Sequence, residues 1–264
     1  METRREERIN KLITALKRED KLHLKDAAVL LGVSEMTIRR DLSAEPGLVV
    51  LLGGYVVNDP KNSKVTHYFV SDQKAKHVQE KNIAGRLAAQ LIDPDDTVFF
   101  DCGTTTPLII DAIDEDLPFT AVCYSLNTFL ALQDLPNCKV ILCGGEFHPA
   151  NCIFTPLTQY SILDNICPDK AFISAAGVDI GYGATCFNFD ELTMKHRALS
   201  MSQQAILVAD HSKFGNIKPA AIGALSLFHT LITDRSPQPT FHEYCQQHKI
   251  ALLYPQDSST ACRA

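Results

Sequence analysis

The chain has 264 residues, 45% of them hydrophobic and 21% charged, the balance of a soluble globular protein with room for two domains. No apolar run is long enough to span a bilayer, and the opening METRREERIN lacks the apolar core of a signal peptide, so a cytoplasmic chain with no membrane partner is expected. The net charge of −6 is unevenly spread: residues 1–57 stand at +1, with ten Lys+Arg against nine Asp+Glu, and the remainder stands at −7.

In chain order, residues 3–18 predict an amphipathic helix with Ile9, Leu12, Ile13 and Leu16 on one face. Residues 22–41 then read as a helix-turn-helix. A short helix over 25–31 offers Ala27, Ala28, Leu30 and Leu31 for packing. Gly32 permits the tight turn, and Ser34 is a good N-cap for a second helix reaching residue 42. Ile38 and Leu42 lie one turn apart and face inward with Val33. Ser34, Met36, Thr37, Arg39 and Arg40 fall on other faces, suited to a major groove. Residues 43–47 break the helix, and 48–52 and 55–57 read as two strands around Gly53-Gly54, a wing. Residues 1–57 therefore read as a winged helix-turn-helix whose partner is double-stranded operator DNA. A module at +1 neutralises few phosphates, so binding leans on Arg39 and Arg40 and on a homo-oligomer, a dimer or larger.

Residues 58–71 are polar and aperiodic and serve as a linker. A second domain is expected over 72–255, beginning with a helix at 72–91 that sets Ile83, Leu87 and Leu91 in register. Short apolar runs at 98–100, 119–124, 140–142, 171–173, 205–209 and 231–233 alternate with helical stretches at 106–113, 128–132, 192–201 and 240–248. Such blunt runs predict a mainly parallel sheet buried on both faces, an α/β domain. Residues 256–264 read as a disordered tail.

Asp101-Cys-Gly-Thr-Thr-Thr106 follows a strand and opens a helix. A glycine and three hydroxyls there make a ready anion site at the carboxyl end of a sheet strand, though a capped helix start reads the same way. Asp210-His-Ser-Lys-Phe-Gly215 repeats the arrangement after another strand, and Lys213 is either the cation for a phosphate or a solvated loop lysine. Glu191 and Lys195, at i,i+4, fit a plain surface ion pair or place Glu191 against a ligand. The Gly144-Gly145 pair before His148 either admits a ligand or merely turns the chain. His67, His148, His196 and His211 have no metal-ligand spacing, and no GxSxG elbow is present. Nine cysteines without a CxxC suggest neither a disulfide framework nor a zinc site, so no cofactor or metal is expected.

With both modules in view, the chain resembles the DeoR family of transcriptional repressors over nearly its whole length. The residues that carry the resemblance are Leu31-Gly-Val-Ser-Glu-Met-Thr-Ile-Arg-Arg-Asp-Leu42, Gly53-Gly54, Asp101-Cys-Gly-Thr-Thr105 and Asp210-His-Ser-Lys-Phe-Gly215. The resemblance implies a non-enzymatic repressor whose C-terminal domain is similar in fold to ribose-5-phosphate isomerase and the CoA-transferase sheet. It also implies a sugar-phosphate effector, deoxyribose 5-phosphate, with another pentose or hexose phosphate as the alternative. By that analogy Asp101, Gly103, Thr104, Thr105, Thr106 and Lys213 hold the phosphate end and Glu191 lies by the sugar. Two departures stand out. Leu51 and Leu52 occupy the wing where the family usually has a basic residue. Ser174-Ala-Ala-Gly-Val178 stands where the isomerases carry an acidic run, which argues against a phosphosugar isomerase with a DNA-binding appendage.

Overall fold

The computed structural model describes residues 4–16, 22–43, 49–58 and 77–256. It divides into two compact units, Met1–Ala75 and Lys76–Ala264, taken separately below.

In the first unit, helix α1 (Arg4–Leu16) buries Leu12 and Leu16, as the 3.6-residue periodicity of its apolar positions dictates. Helix α2 (Leu24–Leu31) ends at Gly32, which adopts φ 63° and donates its N–H back to Ala28 and Val29 carbonyls. Helix α3 (Glu35–Ser43) begins after Ser34, whose Oγ accepts the Thr37 N–H at 3.2 Å. Strands β2 (Val49–Leu52) and β3 (Tyr55–Asn58) join through Gly53 and Gly54, both at positive φ, the backbone a two-residue hairpin of this twist requires. This is the wing. A two-residue strand β1 (Leu22–His23) pairs with β3 to make a third strand that the sequence did not announce. Residues 17–18, 44–48 and most of the 58–71 segment, with His67, lie outside the described residues.

One packing expectation fails. Leu30 is 53% exposed, because the buried stripe of so short a helix is Leu24 and Ala27, with Ala28 and Leu31 half-buried; the turn's other face goes to water. The contact that seats α3 is polar. Asp41, buried, meets Arg8 through one oxygen, Oδ2, which lies 2.7 Å from Nε and 2.6 Å from Nη2, and Arg5 Nε donates to the Asp41 carbonyl at 3.1 Å.

The second unit is built on seven strands in the order β15-β14-β12-β9-β4-β5-β6, every pairing parallel. These are β4 (Thr97–Phe100), β5 (Phe119–Cys123), β6 (Cys138–Leu142), β9 (Lys170–Ser174), β12 (Gln204–Val208), β14 (Thr230–Ile232) and β15 (Ala251–Leu253). Six of them are the expected apolar runs. The seventh, β15, was passed over because its three residues merge with the polar segment that follows. Successive residues feed two cores: Phe99, Ala171, Ile173 and Leu207 on one face, Phe100, Phe172, Ile206 and Val208 on the other. Helices α4 (Val78–Ala89), α5 (Thr106–Ile110), α6 (Leu126–Leu132), α7 (Leu192–Met201) and α8 (Pro239–His248) complete the α/β layers.

Helix α4 is shorter than its expected span, of which residues 72–76 lie outside the described residues, and it does not bury Ile83. It buries Ala84, Gly85 and Ala88 instead. A Cβ on Gly85 would lie 2.7 Å from the Leu108 carbonyl oxygen, so α4 approaches α5 through its small residues. Two antiparallel appendages, also absent from the sequence reading, decorate the sheet: the hairpin β7 (Glu146–His148)–β8 (Ile153–Thr155), and the three-stranded β10 (Gly177–Asp179), β11 (Gly183–Cys186) and β13 (Ala220–Gly223). Residues 257–264 lie outside the described residues.

Replacing Asp41 with Ala strips Arg8 of its partner and should destabilise the first unit by about 1.5–3 kcal/mol, the usual worth of hydrogen bonds to a charged group. Hydrogen exchange checks this: α3 amides should lose protection while the amides of the seven-stranded sheet keep theirs.

Candidate functional site

On α3 the side chains divide cleanly. Ile38 and Asp41 are buried and Leu42 half-buried, whereas Met36 (73% exposed), Arg39 and Arg40 point to solvent. Ser34 and Thr37 share a hydrogen bond between their hydroxyls at 2.9 Å, so both serve the helix start while remaining at its outer end. The five residues read from the sequence thus line one outward arc of a short helix.

In the second unit the polar loops collect at the carboxyl end of the parallel strands. Asp101, directly after β4, is wholly buried. Its Oδ1 accepts the Tyr124 hydroxyl at 2.7 Å, and its Oδ2 accepts the Ser174 N–H at 2.8 Å, the Ser174 hydroxyl at 2.6 Å and the Lys195 ammonium. Lys195 also donates to the Ser174 carbonyl at 3.1 Å and lies 3.5 Å from Glu191 Oε2. Glu191 Oε1 accepts Asn188 Nδ2 at 2.8 Å and Asn151 Nδ2 at 3.4 Å. Burial works to raise the Asp101 carboxyl, but the Lys195 charge and the hydrogen bonds of Lys195, Ser174 and Tyr124 outweigh it and hold the carboxyl below its ordinary value. Burial likewise opposes the Lys195 ammonium, and the facing Asp101 reverses the balance, keeping it well above the usual lysine value.

The surface reading of the Glu191–Lys195 pair is therefore overturned. Glu191 is 4% and Lys195 0% exposed, because α7 lies on the sheet and sends Lys195 into the strand ends. Asp101 is placed as an internal anchor, its carboxylate spent on the protein. Gly103 is required by close approach: a Cβ there would sit 2.1 Å from Ser174 Oγ. Thr104, Thr105 and Thr106, all buried, follow it into α5. Lys213 follows β12, with its Nζ 3.7 Å from Asp210 Oδ2, a buried atom that has no hydrogen-bond partner. Strand β9 separates β12 from β4, so the two loops stand about 10 Å apart along the sheet edge.

Sequence reasoning missed Tyr124, Ser174, Asn151, Asn188 and the inward role of Lys195. Only Asn188-x-x-Glu191-x-x-x-Lys195, at helical spacing, carried a local signal. The cysteines behave as small apolar residues: five of the eight described are buried, and burial pushes the Cys123 and Cys186 thiols up to about 12.

Two family models match the chain, one described as DeoR-like helix-turn-helix domain over residues 8–61 and one as DeoR C terminal sensor domain over residues 76–235. The deoxyribose operon repressor of Escherichia coli K12 is 59% identical over 254 residues, covering 96% of this chain and all of that protein. The HTH-type transcriptional regulator IolR of Bacillus subtilis is 28% identical over 231 residues, 87% of this chain and 91% of its own. A ribose 5-phosphate isomerase A structure from Methanocaldococcus jannaschii overlaps 51% of this chain and 53% of its own at 15% identity, with a TM-score of 0.39.

The buried pair fixes the sign of a pH effect. In the intact chain the depressed Asp101 carboxyl contributes stability that is present above about pH 4 and lost as pH falls through its lower folded value. Lys195→Met removes the charge and one of the hydrogen bonds that oppose burial, leaving those of Ser174 and Tyr124, so the folded value of that carboxyl rises. The deficit in thermal midpoint of Lys195→Met against the intact chain should then shrink as pH falls from 7 to 5, while parallel profiles would show that the pair is not coupled.

Proposed function

The chain belongs to the DeoR family, and from that premise we propose that it is a DNA-binding repressor of deoxyribose-catabolic genes, released from its operator by deoxyribose 5-phosphate. The N-terminal winged module binds operator half-sites as part of a homo-oligomer, with Ser34, Met36, Thr37, Arg39 and Arg40 at the DNA. The C-terminal unit holds the sugar phosphate at the carboxyl edge of its sheet. The observation that best supports the sensor reading is the 103–106 turn at the carboxyl end of β4, where three threonines follow a glycine whose Cβ would meet Ser174 Oγ at 2.1 Å. Backbone N–H groups and hydroxyls at the start of a helix suit an anion such as a phosphate.

Lys213 lies two strands away, and that gap suits a phosphorylated sugar bridging the loops rather than a bare phosphate on one of them. The chemistry stops at binding. Where proton transfer on a sugar needs free carboxylates, this chain has Ser174-Ala-Ala-Gly-Val178, and Ser174 is committed to Asp101. For the effector to control DNA, it must bind the operator-free state more tightly than the operator-bound one.

Thermal denaturation with deoxyribose 5-phosphate tests the sensor. At about 100 times its Kd the ligand adds about 2.7 kcal/mol to the native state, whereas deoxyribose and inorganic phosphate should add far less. Lys213→Ala removes a charge-assisted contact worth about 1.5–3 kcal/mol, and affinity should fall about tenfold to hundredfold. No stabilisation of the intact chain by any sugar phosphate would refute the sensor reading. Arg39→Ala and Arg40→Ala should each weaken operator binding with little change in fold, and a base-reading arginine is worth about 1–3 kcal/mol of discrimination. Unchanged affinity in both would remove α3 from the interface.

A further inference from the structure

The face of α2 turned away from the buried stripe is apolar and uncovered. Val29 is 83% exposed on an eight-residue helix, with Leu30 beside it. These two border a groove of about 690 Å³ between α1 and α2, to which Ala15 and Leu22 also contribute apolar surface. Lys11 on α1 and Asp26 on α2 line the same groove, both exposed and neither ion-paired among the described residues. Adjacent exposed branched aliphatics on so small a unit are a surface that association would bury.

We propose that the occupant of this groove is a second copy of the chain. The Val29–Leu30 ridge of each N-terminal unit enters the α1–α2 groove of the other, and Lys11 of each faces the partner subunit's Asp26. The patch contains both a ridge and a groove and both signs of charge. That is the self-complementarity a twofold contact demands, since each residue must meet the partner of its own partner. No α3 residue lines the groove, so both recognition arcs stay clear for two half-sites of an operator. This contact goes beyond the proposed function and does not depend on the identity of the effector.

The test uses the full chain with a photo-crosslinking amino acid at position 30. Irradiation should give a covalent dimer whose link maps to residues 10–30 of the second copy. Lys11→Glu or Asp26→Lys alone places like charges together and should cut the yield severalfold, and the double exchange should restore it. Because both side chains are exposed, neither variant disturbs the core, and circular dichroism should be unchanged. A link to residues 59–76 of the same chain, a yield indifferent to the charge exchanges, or no dimer at all would each overturn the proposal.

Discussion

Asp101 and Lys195 form an ion pair sealed from water at the carboxyl end of the sheet, and the architecture of the sensor unit hangs on it. The Asp101 carboxylate gathers Tyr124 from the end of β5, Ser174 from the end of β9 and Lys195 from α7. Three neighbouring strands and a covering helix are thereby tied at one point. Removing one partner of such a pair typically costs 3–5 kcal/mol, because the other charge is left in a medium that cannot solvate it. The same knot fixes the first residue of the 101–106 turn, and with it the path of the three threonines that follow.

Asp101 is satisfied by a lysine, a serine and a tyrosine, and Glu191 is held by two asparagines next to the same lysine. Both carboxylates are thereby held by the protein's own donors.

Much of this was legible in the sequence, and for definable reasons. The helix-turn-helix was readable because each part is local: a Gly at the αL position, a Ser N-cap, an inward Ile38 and an outward pair of arginines. Six strands announced themselves because a parallel sheet buried on both faces writes continuous apolar runs. What failed depended on packing between distant segments. Leu30 and Ile83 look like core residues, but the stripe that is buried was set by Leu24 and Ala27 in one case and by the close approach of Gly85 to Leu108 in the other. The Asp101–Lys195 pair joins positions 94 residues apart, and no spacing rule connects them. Asp41 carried no signal of its link to Arg8 for the same reason.

The most direct measurement is operator release. The full chain is bound to a DNA fragment from the promoter of the deoxyribose-catabolic genes of the same genome and titrated with small molecules. The account predicts release by deoxyribose 5-phosphate at concentrations that leave the complex intact with deoxyribose or inorganic phosphate. A complex that persists at saturating deoxyribose 5-phosphate and every other pentose or hexose phosphate would contradict it.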